Sequence, residues 1–142
     1  MVEHQSHYLL VNGMLLFILG LLNGLVIPFF KNKRMGLSAH LAGVQSGMVL
    51  LLFGFLWAHL ALSETLLTAS YWLSLYSMYA IWLALLLAAM WGSSRSTPIA
   101  GAGFQASKSQ ELIVQLLLVS GSLAIVAASV AVLWGLLEGR PT

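Results

Sequence analysis

The chain has 142 residues, 60% of them hydrophobic and only 7% charged, and six Lys or Arg against four Glu leave a formal net charge of +2. Soluble domains carry about a quarter charged residues, so these few charges cannot cover a water-soluble globule and the surplus apolar residues need lipid as their solvent. A charge of +2 without a dense basic cluster excludes nucleic-acid binding, and the lack of cysteine excludes disulfides, thiolate metal sites and thiol nucleophiles.

Four apolar stretches, residues 8–30, 38–62, 65–91 and 111–137, each exceed the ~20 residues a helix needs to cross a bilayer. They are continuous and rich in Leu and Ala, where a barrel strand would alternate. The reading is all-α: one integral membrane domain over residues 1–142, a four-helix transmembrane bundle. Residues 1–8 lack a basic region and no small-residue cleavage motif precedes Lys31, so the first stretch reads as a helix and not as a leader. Pro28 ends it, and Lys31-Asn32-Lys33-Arg34 holds the turn in water. Lys31, Lys33 and Arg34 fall in the first loop, Arg95 and Lys108 in the third, and no basic residue in the second. Positive charge gathers on the cytoplasmic side. This places loops one and three in the cytoplasm and the termini outward, in a bacterial inner membrane, with Arg140 the exception. The third loop, 92–110, is long and rich in Ser, Gly and Ala; such loops are functional or mobile.

Several polar or small residues interrupt the apolar runs. Helix one carries Gly20 and Gly24, with Asn12 and Asn23 about three turns apart on one face. Helix two has Gly43, Gly47 and Gly54, and helix four has Gln115, Ser122 and Ser129 at heptad spacing. Small residues let helices approach, and polar ones bond across. Two glycine faces exceed what one small bundle needs internally, which predicts self-association. Helix three concentrates aromatics: Tyr71, Trp72, Tyr76, Tyr79 and Trp82. Trp57, Trp91 and Trp134 read as an interfacial belt. Tyr76 and Tyr79 sit near mid-membrane, where a phenol needs a partner. Either each bonds a neighbouring helix, or they line a pocket for a flat aromatic ligand.

His40, opening helix two, is the most informative residue. Ionisable side chains at membrane depth are functional candidates, and neutral imidazole is the commonest protein ligand for transition metals and haem iron. Gly43 and Gly47 follow at i+3 and i+7, leaving a bare face against which a porphyrin would lie flat. The alternative is that His40 only caps or solvates the helix start. Other chemistries are excluded. The chain has no Asp, and Glu3, Glu64, Glu111 and Glu138 all stand at helix ends, so no paired-carboxylate site exists at depth. No second His lies at comparable depth for a bis-histidine cytochrome. No buried carboxylate or Lys marks a transporter.

Met35-Gly36-Leu37-Ser38-Ala39-His40-Leu41 with Gly43 and Gly47, Tyr71-Trp72-Leu73-Ser74-Leu75-Tyr76, and Pro98-Ile99-Ala100-Gly101-Ala102-Gly103 together resemble hydroxylaminobenzene mutase, itself similar to styrene oxide isomerase. The resemblance spans nearly the whole chain. It implies a homotrimer holding haem b through one histidine, which matches His40, with Gly43 and Gly47 beside the cofactor. It further implies an isomerase of small aromatic compounds in which ferric haem acts as a Lewis acid on the substrate oxygen. Arylhydroxylamine to aminophenol rearrangement ranks ahead of epoxide to aldehyde; the alternative is a haem-binding membrane protein without catalysis. Ser46, Tyr79 and Ile81 fall where the resemblance places substrate contacts, and Trp82, next to Ile81 on helix three, is expected to line the same apolar pocket. Two of them depart from the family pattern: Ser46 stands where an Asn is expected, and Tyr79-Ala80-Ile81 where Tyr-Ala-Asn is expected.

Overall fold

The computed structural model describes residues 1–139, which form α1 (Val2–Val26), α2 (Lys33–Leu56), α3 (Glu64–Trp91) and α4 (Lys108–Glu138), with 3-10 turns at Ile27–Phe29 and Trp57–His59. No strand occurs among the described residues. All four helices are long and apolar enough to cross a membrane, and the chain is an integral membrane protein. Arg140 lies outside the described residues.

Caps explain where the helices begin. The Asn32 side chain accepts a hydrogen bond from the Met35 amide at 3.1 Å, so α2 starts five residues before the apolar run at 38. His40 therefore sits two turns inside α2 instead of opening it. Ser63 caps α3 through the Leu66 amide, and Ser107 with Gln110 forms a capping box at α4. Gly92, at φ 74°, ends α3 in the left-handed conformation that glycine adopts without strain.

Successive helices pack on one another, α1 on α2, α2 on α3 and α3 on α4, while α1 and α4 share no extended contact. The bundle is thus an open curl with a cleft between its first and last helices, floored by α3. Its inner faces are small-residue stripes, as on α3 with Ser70, Ser74, Ser77, Ala80, Ala84 and Ala88. Large apolar side chains such as Leu25, Phe55, Leu123 and Val126 point outward. Helices in lipid associate by close packing and not by hiding leucines, so this distribution fits a bilayer. Two apolar cores result: one around Leu16, Leu50, Trp57 and Tyr71, the other around Met35, Ala84, Ala88 and Val114.

The groove expected along Gly43 and Gly47 is filled by α1. A Cβ on Gly43 would stand 2.7 Å from the Gly20 Cα, and one on Gly47 would stand 2.5 Å from the Phe17 amide nitrogen. Gly13 likewise meets the Gly47 carbonyl. The glycine faces are therefore used within the chain, joining α1 to α2. Trp57 is also not an interfacial residue: it is fully buried and donates from its indole to Gln5 Oε1 at 3.0 Å, because α2 turns back over α1 there. Trp134 does face outward, 60% exposed.

The third loop is tied down. Asn32 Nδ2 donates to the Ala100 carbonyl at 2.8 Å and Arg34 to that of Ala102 at 2.6 Å. Lys31 reaches the carbonyls of Trp91 and Gln105. The buried Glu111 carboxylate accepts from Ser93 Oγ and from the backbone amides of Ser94 and Arg95. Loops one and three thus form one basic end of the bundle.

Candidate active site

The cleft floor opens into a cavity of about 540 Å³, lined by Asn12 of α1, by Trp72, Leu75, Tyr76, Tyr79, Ala80, Trp82 and Leu83 of α3, and by Leu117 of α4. Positions 72, 75, 76, 79, 82 and 83 follow the three-and-four spacing of one helical face. The lack of extended packing between α1 and α4 uncovers that face. Aromatic walls around a volume of this size suit a single-ring compound, and ligand pockets are typically apolar with few polar groups.

Both mid-membrane phenols bond a neighbouring helix and line the cavity at once. Tyr79 donates to Asn12 Oδ1 at 3.1 Å. Tyr76 and Ser120 Oγ lie 2.6 Å apart. Asn12 is the polar wall residue that sequence reasoning left without a role. Its signal was an amide within the apolar run of α1.

Trp82 connects the cavity to His40. Its indole packs on Gly43, where a Cβ would stand 2.8 Å from Cδ1, and Gly43 is one turn along α2 from His40. The imidazole lies in the α1–α2 seam with Nδ1 2.7 Å from the Gly20 carbonyl oxygen. A carbonyl only accepts, so Nδ1 carries a proton and Nε2 points away from this bond. Gly24 makes room for the ring: a Cβ there would stand 2.9 Å from Nδ1. Two buried donors nearby, Asn23 Nδ2 and Trp82 Nε1, have no partner. Asn23 lies one turn beyond Gly20 on the buried face of α1.

Of the expected substrate contacts, Tyr79 and Trp82 line the cavity, and Ser46 and Ile81 do not. Ser46 is buried on the inner face of α2. Ile81 is two residues from Tyr79, about 200° around the helix, and faces α4, where a Cβ on Gly121 would stand 3.0 Å from its Cγ1. Helical geometry separates it from the face it was expected to share.

The fold and site define a four-helix membrane bundle whose aromatic cavity, separated from the seam of His40 by Trp82, has a size and lining that suit a small arene. The chain matches the styrene oxide isomerase family over residues 5–137. It is 40% identical over 132 residues to hydroxylaminobenzene mutase HabA of Ectopseudomonas oleovorans, covering 92% of this chain and 98% of that protein. To hydroxylaminobenzene mutase HabB of the same organism it is 43% identical over 129 residues, covering 90% and 79%. No solved structure matches. The chain belongs to the styrene oxide isomerase family, and with it to the isomerases.

Proposed function

We propose that this protein is a haem-b-dependent membrane isomerase that rearranges an arylhydroxylamine to an aminophenol. The observation that carries the reading is the aromatic cavity of about 540 Å³ joined through Trp82 to the seam of His40. The names of the two curated relatives support the mutase chemistry over epoxide isomerisation.

The residues present fit haem b. His40 offers one neutral nitrogen, its tautomer fixed by a backbone carbonyl as in most histidine metal sites. No group of three His, Cys, Asp or Glu exists among the described residues to hold a bare ion, whereas a porphyrin brings four ligands of its own. Gly43 and Gly47 serve the cofactor indirectly, by letting α1 approach until the Gly20 carbonyl meets His40. Haem b, when bound, supplies a Lewis acid for the substrate oxygen.

The chain's own residues position the arene and exclude water. The N–O bond breaks, a C–O bond forms on the ring, and the ring proton lost is balanced by one gained at nitrogen. Product and substrate are isomers, so no reductant is consumed. Trp72, Trp82 and the faces of Tyr76 and Tyr79 hold the ring, and the lipid-facing mouth keeps the electron-poor intermediate dry.

The basic end formed by Lys31, Lys33, Arg34, Arg95 and Lys108 faces the cytoplasm in this reading. The chain works as a homotrimer: Gln115, Ser122 and Ser129 lie on the exposed face of α4, where polar groups in lipid need a partner.

The test is anaerobic incubation of detergent-purified protein with N-phenylhydroxylamine, with product analysis and an absorption spectrum. Aminophenol formation with a Soret band is expected. A Soret band without turnover of an arylhydroxylamine or aryl epoxide would leave the non-catalytic haem-binding alternative, and no Soret band would remove the cofactor.

A further inference from the structure

We propose that the two phenols of the cavity wall select the substrate by hydrogen-bond polarity, and that Asn12 is the positioning residue that sets the polarity of Tyr79. The two phenols present oxygen lone pairs to the cavity, so they accept N–H or O–H groups and do not donate to an acceptor-only oxygen. This rests on the arylhydroxylamine reading and sharpens it. An arylhydroxylamine carries N–H and O–H donors; an aryl epoxide carries none.

The hydrogen-bond geometry favours one arrangement of the protons. Asn12 Nδ2 donates to the Tyr8 carbonyl at 2.8 Å, one turn back on its own helix. Because that partner can only accept, the amide orientation is fixed and Oδ1 faces Tyr79. The Tyr79 hydroxyl meets two acceptors of the same residue, Asn12 Oδ1 at 3.1 Å and the Asn12 backbone carbonyl at 3.5 Å. Its single proton is committed to α1. On the opposite wall the same logic holds. Ser120 Oγ lies 2.6 Å from the Leu116 carbonyl, to which it must donate its only proton. It therefore accepts from Tyr76, 2.6 Å away. Two helices on either side of α3 thus draw both phenol protons outward.

Ile81 packs on Gly121, and the amide that reaches the cavity wall comes from α1. A site that hydrogen-bonds a substrate group rejects analogues lacking it far more strongly than an apolar pocket does.

The experiment measures binding separately from turnover. Aniline, a donor, and acetophenone, acceptor-only, are titrated into the purified full-length protein, with quenching of tryptophan fluorescence as the readout. The wild type is expected to prefer aniline. Asn12→Leu frees the Tyr79 proton, and Ser120→Ala frees that of Tyr76. Each is expected to shift the aniline-to-acetophenone affinity ratio about 5- to 10-fold toward acetophenone, and Tyr79→Phe to weaken aniline alone. In turnover, Asn12→Leu raises KM for N-phenylhydroxylamine more than it lowers kcat. If Asn12→Leu does not fold, Ser120→Ala on the outer helix decides. A ratio unchanged in the folded variants, or no preference in the wild type, overturns the proposal. Wild-type protein that prefers aniline but turns over no arylhydroxylamine would overturn the mutase reading and leave the polarity of the cavity standing.

Discussion

Gly20 and His40 are joined twice over: the Gly20 carbonyl holds the imidazole Nδ1 at 2.7 Å, and the missing Gly20 side chain is what allows the approach. A Cβ on Gly20 would stand 2.4 Å from the Val44 amide nitrogen, in backbone that cannot yield. Helix contact and imidazole orientation are therefore one structural feature.

Gly20→Ala is expected to push α1 from α2 and cost about 1–3 kcal/mol of stability, the usual price of overpacking. The His40 bond lengthens with it. Thermal unfolding in detergent should show a lowered Tm together with reduced haem content; a normal Tm would mean the seam relaxes freely.

His40→Ala should give folded protein without haem. The ring is only half-buried and its loss opens space beside Gly24 without removing a core residue. Added imidazole should restore part of the Soret band. A full band in the variant without added imidazole takes the ligand role away from His40.

Trp57→Phe deletes the donor to Gln5 Oε1 and leaves a small cavity where the fused ring of the indole packs. Gln5 in turn donates to Thr68, so the pair ties α1, the end of α2 and α3 together. A loss of about 1–2 kcal/mol is expected from the broken bond and the stranded amide oxygen, seen as a lower Tm with substrate turnover at low temperature preserved. Wild-type stability would show the bond to be dispensable.

Ile81→Asn places an amide against Gly121 in the α3–α4 seam, away from the cavity wall. It should destabilise the bundle by about 1–3 kcal/mol, the cost of a poorly partnered buried polar group, and leave KM unchanged in the folded fraction. A rise in turnover would place position 81 at the substrate after all.

Glu111→Gln replaces one of two acceptor oxygens that together bind Ser93, Ser94 and Arg95. Trypsin cleavage after Arg95 should become several-fold faster as the loop opens. An unchanged cleavage rate would show that Asn32 and Arg34 hold the loop without it.

The departures between sequence and structure have particular causes. The apolar run of helix two begins at 38, but the Asn32 cap extends the helix into its basic turn, so His40 moved from the helix start to its second turn. Gly43 and Gly47 read equally well as a cofactor groove and as a helix seam. Trp57 looked interfacial because it lies near the end of a span, yet the 3-10 turn at Trp57–His59 carries it inward. Ile81 was grouped with Tyr79 by proximity along the chain, where helical phase keeps them apart.

The sequence by itself determined the membrane, the four helices, the basic end and His40 as the one imidazole at depth, because these follow from composition and from local runs of residue type. It also singled out Tyr76 and Tyr79 as phenols in need of partners. Which partners they have, which glycine faces meet, and the pairing of Asn12 with Tyr79 and of Gly20 with His40 were decided only by the tertiary structure. Those contacts join residues 67 and 20 positions apart in the chain. They depend on the rotation and depth at which helices settle against each other, which small residues permit without specifying.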